Sequence, residues 1–160
     1  MTETLHIFAQ DILPEESWRL LQWCLGKEAD EFSLNVLGFQ ETIDQAIKLF
    51  DHRFDEFRLN TAPRRTLTSL TGRDWIRPIE LWRLNKDTIV RLQEILPEGI
   101  FTYEIGDTWY EDLYVYRGAE LMMGIVTHEQ EGILRVTAEE KQELNQLGIK
   151  YRLEGEWVGY

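Results

Sequence analysis

Apolar positions along this chain follow a helical period in several segments of the first hundred residues and a strand period in most of the rest. "TLHIFA" alternates Leu5 and Ile7 with His6 and Phe8, which predicts a strand partly covered on both faces. "PEESWRLLQWCLG" follows, with Pro14 and two glutamates suited to a first helical turn and Gly26 suited to its end. Trp18, Leu21 and Leu25 supply an i, i+3, i+7 stripe for that helix. "EFSLNVLGF" sets Phe32, Leu34 and Val36 against Ser33 and Asn35, the pattern of a half-buried strand. In "TIDQ", Thr42 answered by Gln45 reads as a capping box. Behind it Ile43, Ala46, Ile47, Phe50, Phe54 and Phe57 keep helical spacing and predict a helix facing a sheet.

Residues 59–84 carry mixed signals. "NTAPRRTLTSLTGRDW" holds turn formers and predicts a loop, with room for a short strand at "TLTSL". "DWIRPIELWRL" places Trp75, Ile79 and Trp82 at helical spacing, but Pro78 would interrupt that helix. Either a helix starts near Pro78 or the segment is extended. Asn85 then caps a helix over "KDTIVRLQEIL", with Ile89, Leu92 and Leu96 inward.

Beyond residue 100, "IFTYEI", "WYEDLYVYR", "ELMMGIV" and "ILRV" are strand-like runs separated by short turn signals. Joins this short require antiparallel pairing, because a parallel crossover needs roughly a dozen residues. Thr137 with Glu140 forms a second capping box before a helix ending at Gly148, and "IKYRL" predicts a last strand with Ile149, Tyr151 and Leu153 on one face. With no repeat or linker, residues 1–160 read as a single α+β domain. Its core is an antiparallel sheet with a C-terminal four-stranded meander, and the helices pack largely on one face.

Composition changes this picture only through charge. Hydrophobic residues make up 43% of the chain and aromatics 12%, ample for a core in 160 residues. The net charge is −12, a balance that repels phosphate backbones and anionic lipid and favours a basic protein partner over nucleic acid or membrane. The charge is uneven. Residues 53–91 hold nine bases and five acids, a local +4, which leaves eight bases and twenty-four acids, −16, to the remainder. Such a segment either docks on the acidic remainder within one domain or gives a bipolar surface that self-associates, as in a homodimer.

The start, "MTETLHIFAQD", lacks a basic region and carries Glu3, His6 and Asp11 where a signal peptide would be apolar. No run approaches about 18 apolar residues, so no membrane span is predicted. The lone Cys24, in the apolar setting "WRLLQWCLG", fits an inert buried thiol in a reducing cytoplasm and excludes an intramolecular disulfide.

Candidate chemistry concentrates in "GDTWYEDLYVYRGAELMMGIVTHEQEG". Strand alternation puts Tyr110, Asp112, Tyr114 and Tyr116 on one side, opposite Trp109, Glu111, Leu113, Val115 and Arg117. Leu113 and Val115 belong in a core. The tyrosines therefore lie either beneath a helix with their hydroxyls at its rim or in an exposed recognition face. An exposed face would take in Glu120, His128 and Glu129 as well. His128 with Glu129 and Glu131 also offers a metal or acid–base grouping, but its spacing is not that of a helical zinc site, and a solvated acidic turn is the simpler reading.

Dinucleotide and Walker phosphate loops, a nucleophile elbow and paired cysteines are all missing from the sequence. "APRRTLTSLTGR" is the one basic stretch with hydroxyls. Arg64, Arg65 and Arg73 there are suited to an anion, with internal pairing favoured in so acidic a chain. No catalytic residue, metal ligand or cofactor is assigned. The expectation is a non-catalytic acidic interaction domain, of the inhibitor or immunity type, for a basic partner. The alternative is a small enzyme or ligand-binding domain with a pocket near the tyrosine strand and the His128 turn.

Overall fold

Strand β7 (Thr108–Arg117) organises the molecule, because every strand of the main sheet reaches it directly or through a neighbour. The structure is a computed structural model and describes residues 1–38, 41–67, 74–102, 104–105 and 108–154. On one side β7 pairs with β8 (Glu120–Val126), then β9 (Glu131–Val136), β1 (Glu3–Phe8) and β10 (Arg152–Leu153). On the other it pairs with β2 (Glu31–Gly38) and, through it, β5 (Trp82–Arg83). The short β6 (Glu104–Ile105) pairs with the start of β7. Every described pairing is antiparallel, as short connections require. The predicted meander β6–β9 forms, with its first strand reduced to Glu104–Ile105 and Ile100 and Phe101 in a turn, and it is flanked by the two N-terminal strands β1 and β2 in one antiparallel sheet.

Four helices cover one face: α1 (Pro14–Gly26), α2 (Ile43–Phe54), α3 (Lys86–Ile95) and α4 (Ala138–Gln146). Their starts follow local chemistry. The Asn85 carboxamide accepts from the Thr88 N–H at 2.9 Å while the Thr88 hydroxyl accepts from the Asn85 N–H at 2.8 Å. Thr137 accepts from the Glu140 N–H at 3.2 Å. The Glu140 side chain does not complete that box; it turns instead to Arg117 at 3.2 Å. At α2 the expected box is not made, because Thr42 has helical backbone angles and its side chain forms no cap.

Burial also departs from the predicted stripes. In α1 the buried set is Ser17, Leu20, Leu21 and Cys24, with Trp18 and Leu25 at its edge. In α2, Ala46, Phe50 and Phe54 face the sheet, whereas Ile47 is 41% exposed. Phe57 lies in a separate 3-10 turn after α2. Phe32, Phe50, Phe54 and Trp82 form one aromatic cluster, with ring centroids 4.6–5.9 Å apart, that fixes α2 and β5 on β2.

The other face is covered by a hairpin of β3 (Ala62–Leu67) and β4 (Asp74–Ile79), a separate two-stranded sheet. The extended alternative for "DWIRPI" is therefore the right one, and Pro78 sits opposite Pro63 in the pair. Residues 68–73, including part of "TLTSL", lie outside the described residues. Leu67, Ile79 and Leu81 pack there on Tyr114, Tyr116, Leu121, Val126 and Ile133. Gly124 makes the close approach possible, since a Cβ on it would lie 2.9 Å from Leu67 Cδ1 and 3.2 Å from Tyr114 Cδ1. Among the described residues no helix is long and apolar enough to cross a membrane.

Much of the basic middle is paired internally. Arg53 bonds Glu94, Arg58 reaches Asp51, Asp55 and Glu80, and Arg64 bonds Glu31, all within 3.1 Å. Cys24 is fully buried, and burial pushes its thiol up to about 12, so it carries no thiolate at neutral pH.

Candidate functional site

The predicted recognition strand is divided by one residue. Between the pairs Ser33–Tyr114 and Asn35–Glu111, β7 advances three residues while β2 advances two. The extra residue is a bulge, and Asp112 occupies it with φ +58°. Aspartate tolerates this left-handed conformation better than most residues, because its short side chain bonds locally. Here the Asp112 carboxylate accepts from the Thr127 N–H at 3.0 Å, and the Asp112 N–H donates to the Thr127 hydroxyl at 2.8 Å.

A bulge reverses side-chain parity. Tyr110 therefore does not share a face with Tyr114 and Tyr116; it packs, half-buried, against the helix-side core, and burial raises its phenol pKa. Glu111 moves to the tyrosine side, where its charge acts on Tyr114. Sequence reasoning had these two the wrong way round. The available signal was the pair Glu111–Asp112 in mid-strand, residue types that strands disfavour.

Tyr114 and Tyr116 are 2% and 0% exposed, so they form no part of an open face. Their cover is the hairpin, not a helix. The Tyr114 hydroxyl donates to the Leu67 carbonyl at 2.9 Å and accepts from the Leu67 N–H at 3.3 Å; the Tyr116 hydroxyl donates to the Arg65 carbonyl at 2.8 Å. Burial and then the nearby Asp112 charge push the Tyr114 phenol up to about 12, and burial and then Tyr114 raise that of Tyr116.

Glu120 is exposed at the β7–β8 turn. His128 and Glu129 are at the far end of β8, about 20 Å away for seven residues of strand. These three do not form one rim.

Glu111 and Asp112, in the middle of β7, come near His128, and Asp112 and Glu131 come near Glu129, at the turn between β8 and β9. The "THEQEG" turn is a 3-10 turn over Thr127–Glu129, closed by Gln130 at φ +55°. The Gln130 amide donates to the carbonyls of Thr127 at 2.7 Å and Phe101 at 3.1 Å, which fixes the turn. His128 Nε2 is 3.8 Å from Glu129 Oε1. The Glu111 carboxyl is held above the usual range by burial and then by Asp112. Asp112 is raised by burial in spite of the Thr127 N–H, and Glu131 by burial and then by Glu129. His128 and Arg152 oppose these shifts without cancelling them. Among the described residues no three His, Cys, Asp or Glu side chains converge as a ligand set. Chemically, the cluster is an acidic end of the sheet, suited to attracting cationic groups.

No protein-family model, curated protein or solved structure matches this chain.

Proposed function

We propose that this protein is a non-catalytic binding protein whose acidic surface engages a basic protein partner, as an inhibitor or immunity-type protein does. One observation carries the reading. Glu111, Asp112 and Glu131 remain at one end of the sheet although burial and neighbouring acids penalise their charge. A cationic partner group would relieve that penalty. The recognition set is accordingly Glu111, Asp112, His128, Glu129 and Glu131, in place of the continuous tyrosine face expected from alternation. Affinity capture from the source cell, followed by association kinetics with the captured protein, tests this. Glu111→Lys and Glu129→Lys should slow association and weaken its salt dependence, while Glu15→Lys on α1 should not. Equal binding by all three variants would sink the proposal.

A second reading, a small ligand-binding or catalytic domain, is favoured by one feature. A cavity of about 460 Å³ beside the cluster is lined by Phe8, Ala9, Gln10, Glu129, Gln130 and Glu131. Under that reading a small cationic ligand would bind there and lose affinity in Glu131→Gln with the protein partner absent.

A further inference from the structure

Strand β4 is open to solvent on both of its faces. Trp75 and Ile76, neighbours that point to opposite faces, are 57% and 68% exposed, and Arg77 and Pro78 after them are exposed as well. Ile79 alone of these five turns into the tyrosine-side core, and β3 is the strand of the hairpin that packs on β8.

The direction of the β4 backbone groups follows from the pairing. In an antiparallel ladder alternate residue pairs exchange hydrogen bonds, and the pairs between them point outward. The Leu67 N–H and carbonyl and the Arg65 carbonyl bond Tyr114 and Tyr116, so Arg65 and Leu67 point away from β4. Their partners Ile76 and Asp74 therefore point away from β3. Pro78 does so too, opposite Pro63, where neither residue has an N–H to give the ladder. Among the described residues β4 pairs with β3 alone. Its outer edge thus presents the N–H groups of Asp74 and Ile76 and the carbonyls of Asp74, Ile76 and Pro78. An exposed edge of this kind is a template for another strand.

We propose that the outer edge of β4 pairs antiparallel with the same edge of a second copy of this chain, about a two-fold axis through Ile76. In that register Ile76 exchanges N–H···O bonds with its own copy, and each Asp74 N–H donates to the Pro78 carbonyl of the second copy. Each Trp75 then stands opposite Arg77 of the second copy. Trp75 and Arg77 share a face with Thr66, whose hydroxyl accepts from Arg77 Nε at 3.1 Å and holds the guanidinium on that face. Residues opposite each other in such a non-hydrogen-bonded pair have Cα atoms about 4.5 Å apart, close enough for a guanidinium to lie on an indole. Neighbouring registers lose this match. A slide of two residues one way sets Arg77 against its own copy, like charges directly opposite. A slide the other way sets Trp75 against Trp75 and takes Arg77 away from the ring. The strand is complementary to itself in one register, as an interface between identical copies requires. The contact needs no basic partner, so it is tested on the chain alone.

The test is sedimentation velocity of the full chain from about 1 μM to 1 mM, where a short edge contact should give a reversible dimer with a Kd on the order of 10 μM. Each copy carries −12, so the dimer should tighten severalfold as salt screens their repulsion. Ile76→Pro, which removes the outward N–H, should weaken dimerisation by at least about tenfold. Trp75→Ala and Arg77→Glu should each weaken it by about tenfold. Leu49→Ala, at a comparably exposed apolar residue on α2, should change nothing. All four positions are exposed, so the variants are expected to keep the fold, checked by thermal unfolding. Cross-linking reads the register. Cys24 is buried, so Ile76→Cys carries one accessible thiol. Its Cα should lie about 5.5 Å from its copy, within disulfide reach. Oxidised glutathione should then give covalent dimer at least about tenfold faster than in Trp75→Cys or Arg77→Cys. A chain that stays monomeric to about 1 mM, or an Ile76→Pro variant that dimerises as the parent does, overturns the proposal. Trp75→Cys or Arg77→Cys cross-linking as fast as Ile76→Cys, or an equal loss in Leu49→Ala, overturns it too.

Discussion

The two faces of the central sheet are buried by different means. On the helix face the contacts around Phe32, Phe50, Phe54 and Trp82 are almost wholly carbon. On the hairpin face two tyrosines reach up and bond the backbone of β3. The cover explains the difference. A helix spends its backbone groups internally and presents only side chains to a sheet. A two-stranded hairpin has free edges, and buried N–H and C=O groups there need partners. The carbonyls of Arg65 and Leu67, two residues apart, point the same way, and Tyr116 and Tyr114 stand beneath them at the same spacing. Tyrosine in a sheet is thus no sign of exposure here; it records what kind of element lies on top.

Mutations separate the two modes. On the helix face Phe54→Ala removes a fully buried ring and should cost about 3–5 kcal/mol in denaturant unfolding. A loss below about 1 kcal/mol would mean that the aromatic cluster does not close this face. On the hairpin face Tyr114→Phe keeps the ring but leaves both polar groups of Leu67 without their partner, at a cost of about 1–3 kcal/mol. Amide exchange at Leu67 should quicken in that variant while exchange in α2 stays slow. A silent Tyr114→Phe would show that water, not tyrosine, satisfies the edge of β3.

The helix face was legible because its signals are periodic and local. α3 and its Asn85 cap, α4 with Thr137, and the alternation of β1 and β2 all follow from neighbouring residues. The hairpin face was not. "APRRTL" and "DWIRPI" lack alternation because burial along them does not alternate: the neighbours Thr66 and Leu67 are both buried while the neighbours Trp75 and Ile76 are 57% and 68% exposed, and Pro63 and Pro78 disguise the strands. The site was half legible. The acidic composition of the His128 turn could be read directly, but its joining to Glu111 depends on a bulge held by the Asp112–Thr127 pair, fifteen residues apart in sequence.

Where the hairpin-side surface ends in acids, pH sharpens the contrast. A carboxylate whose folded pKa is raised keeps its proton longer in the folded state than in the unfolded one. Between the ordinary and the raised pKa the folded state binds more protons, so stability falls as pH rises through that window. Glu111, Asp112 and Glu131 all shift this way, and at pH 7 their ionised forms oppose folding. Glu111→Gln and Glu131→Gln should therefore raise Tm at pH 7, with the gain shrinking toward about pH 4, where the native acids are themselves protonated. A lowered Tm at pH 7 would mean that these acids are already compensated within the fold, and the case for a cationic partner would weaken.

The smallest effect is expected where charge meets the helix-side aromatic cluster. Arg58 bonds Asp51, Asp55 and Glu80 at 2.7–3.0 Å, and its guanidinium lies 5.2 Å from the Trp82 ring centroid. The ion pairs are open to solvent, so each is worth little and salt screens it. The stack on Trp82 adds about 0.5–1 kcal/mol at such a site. Arg58→Ala should accordingly lose only about 1 kcal/mol. If carbon contacts close this face, nearly the same loss should remain in 1 M sodium chloride, and Arg58→Lys, which keeps the charge but loses the planar stack, should recover little of it. A loss of several kcal/mol that salt abolishes would make the arginine network, rather than Phe50, Phe54 and Trp82, what holds α2 to the sheet.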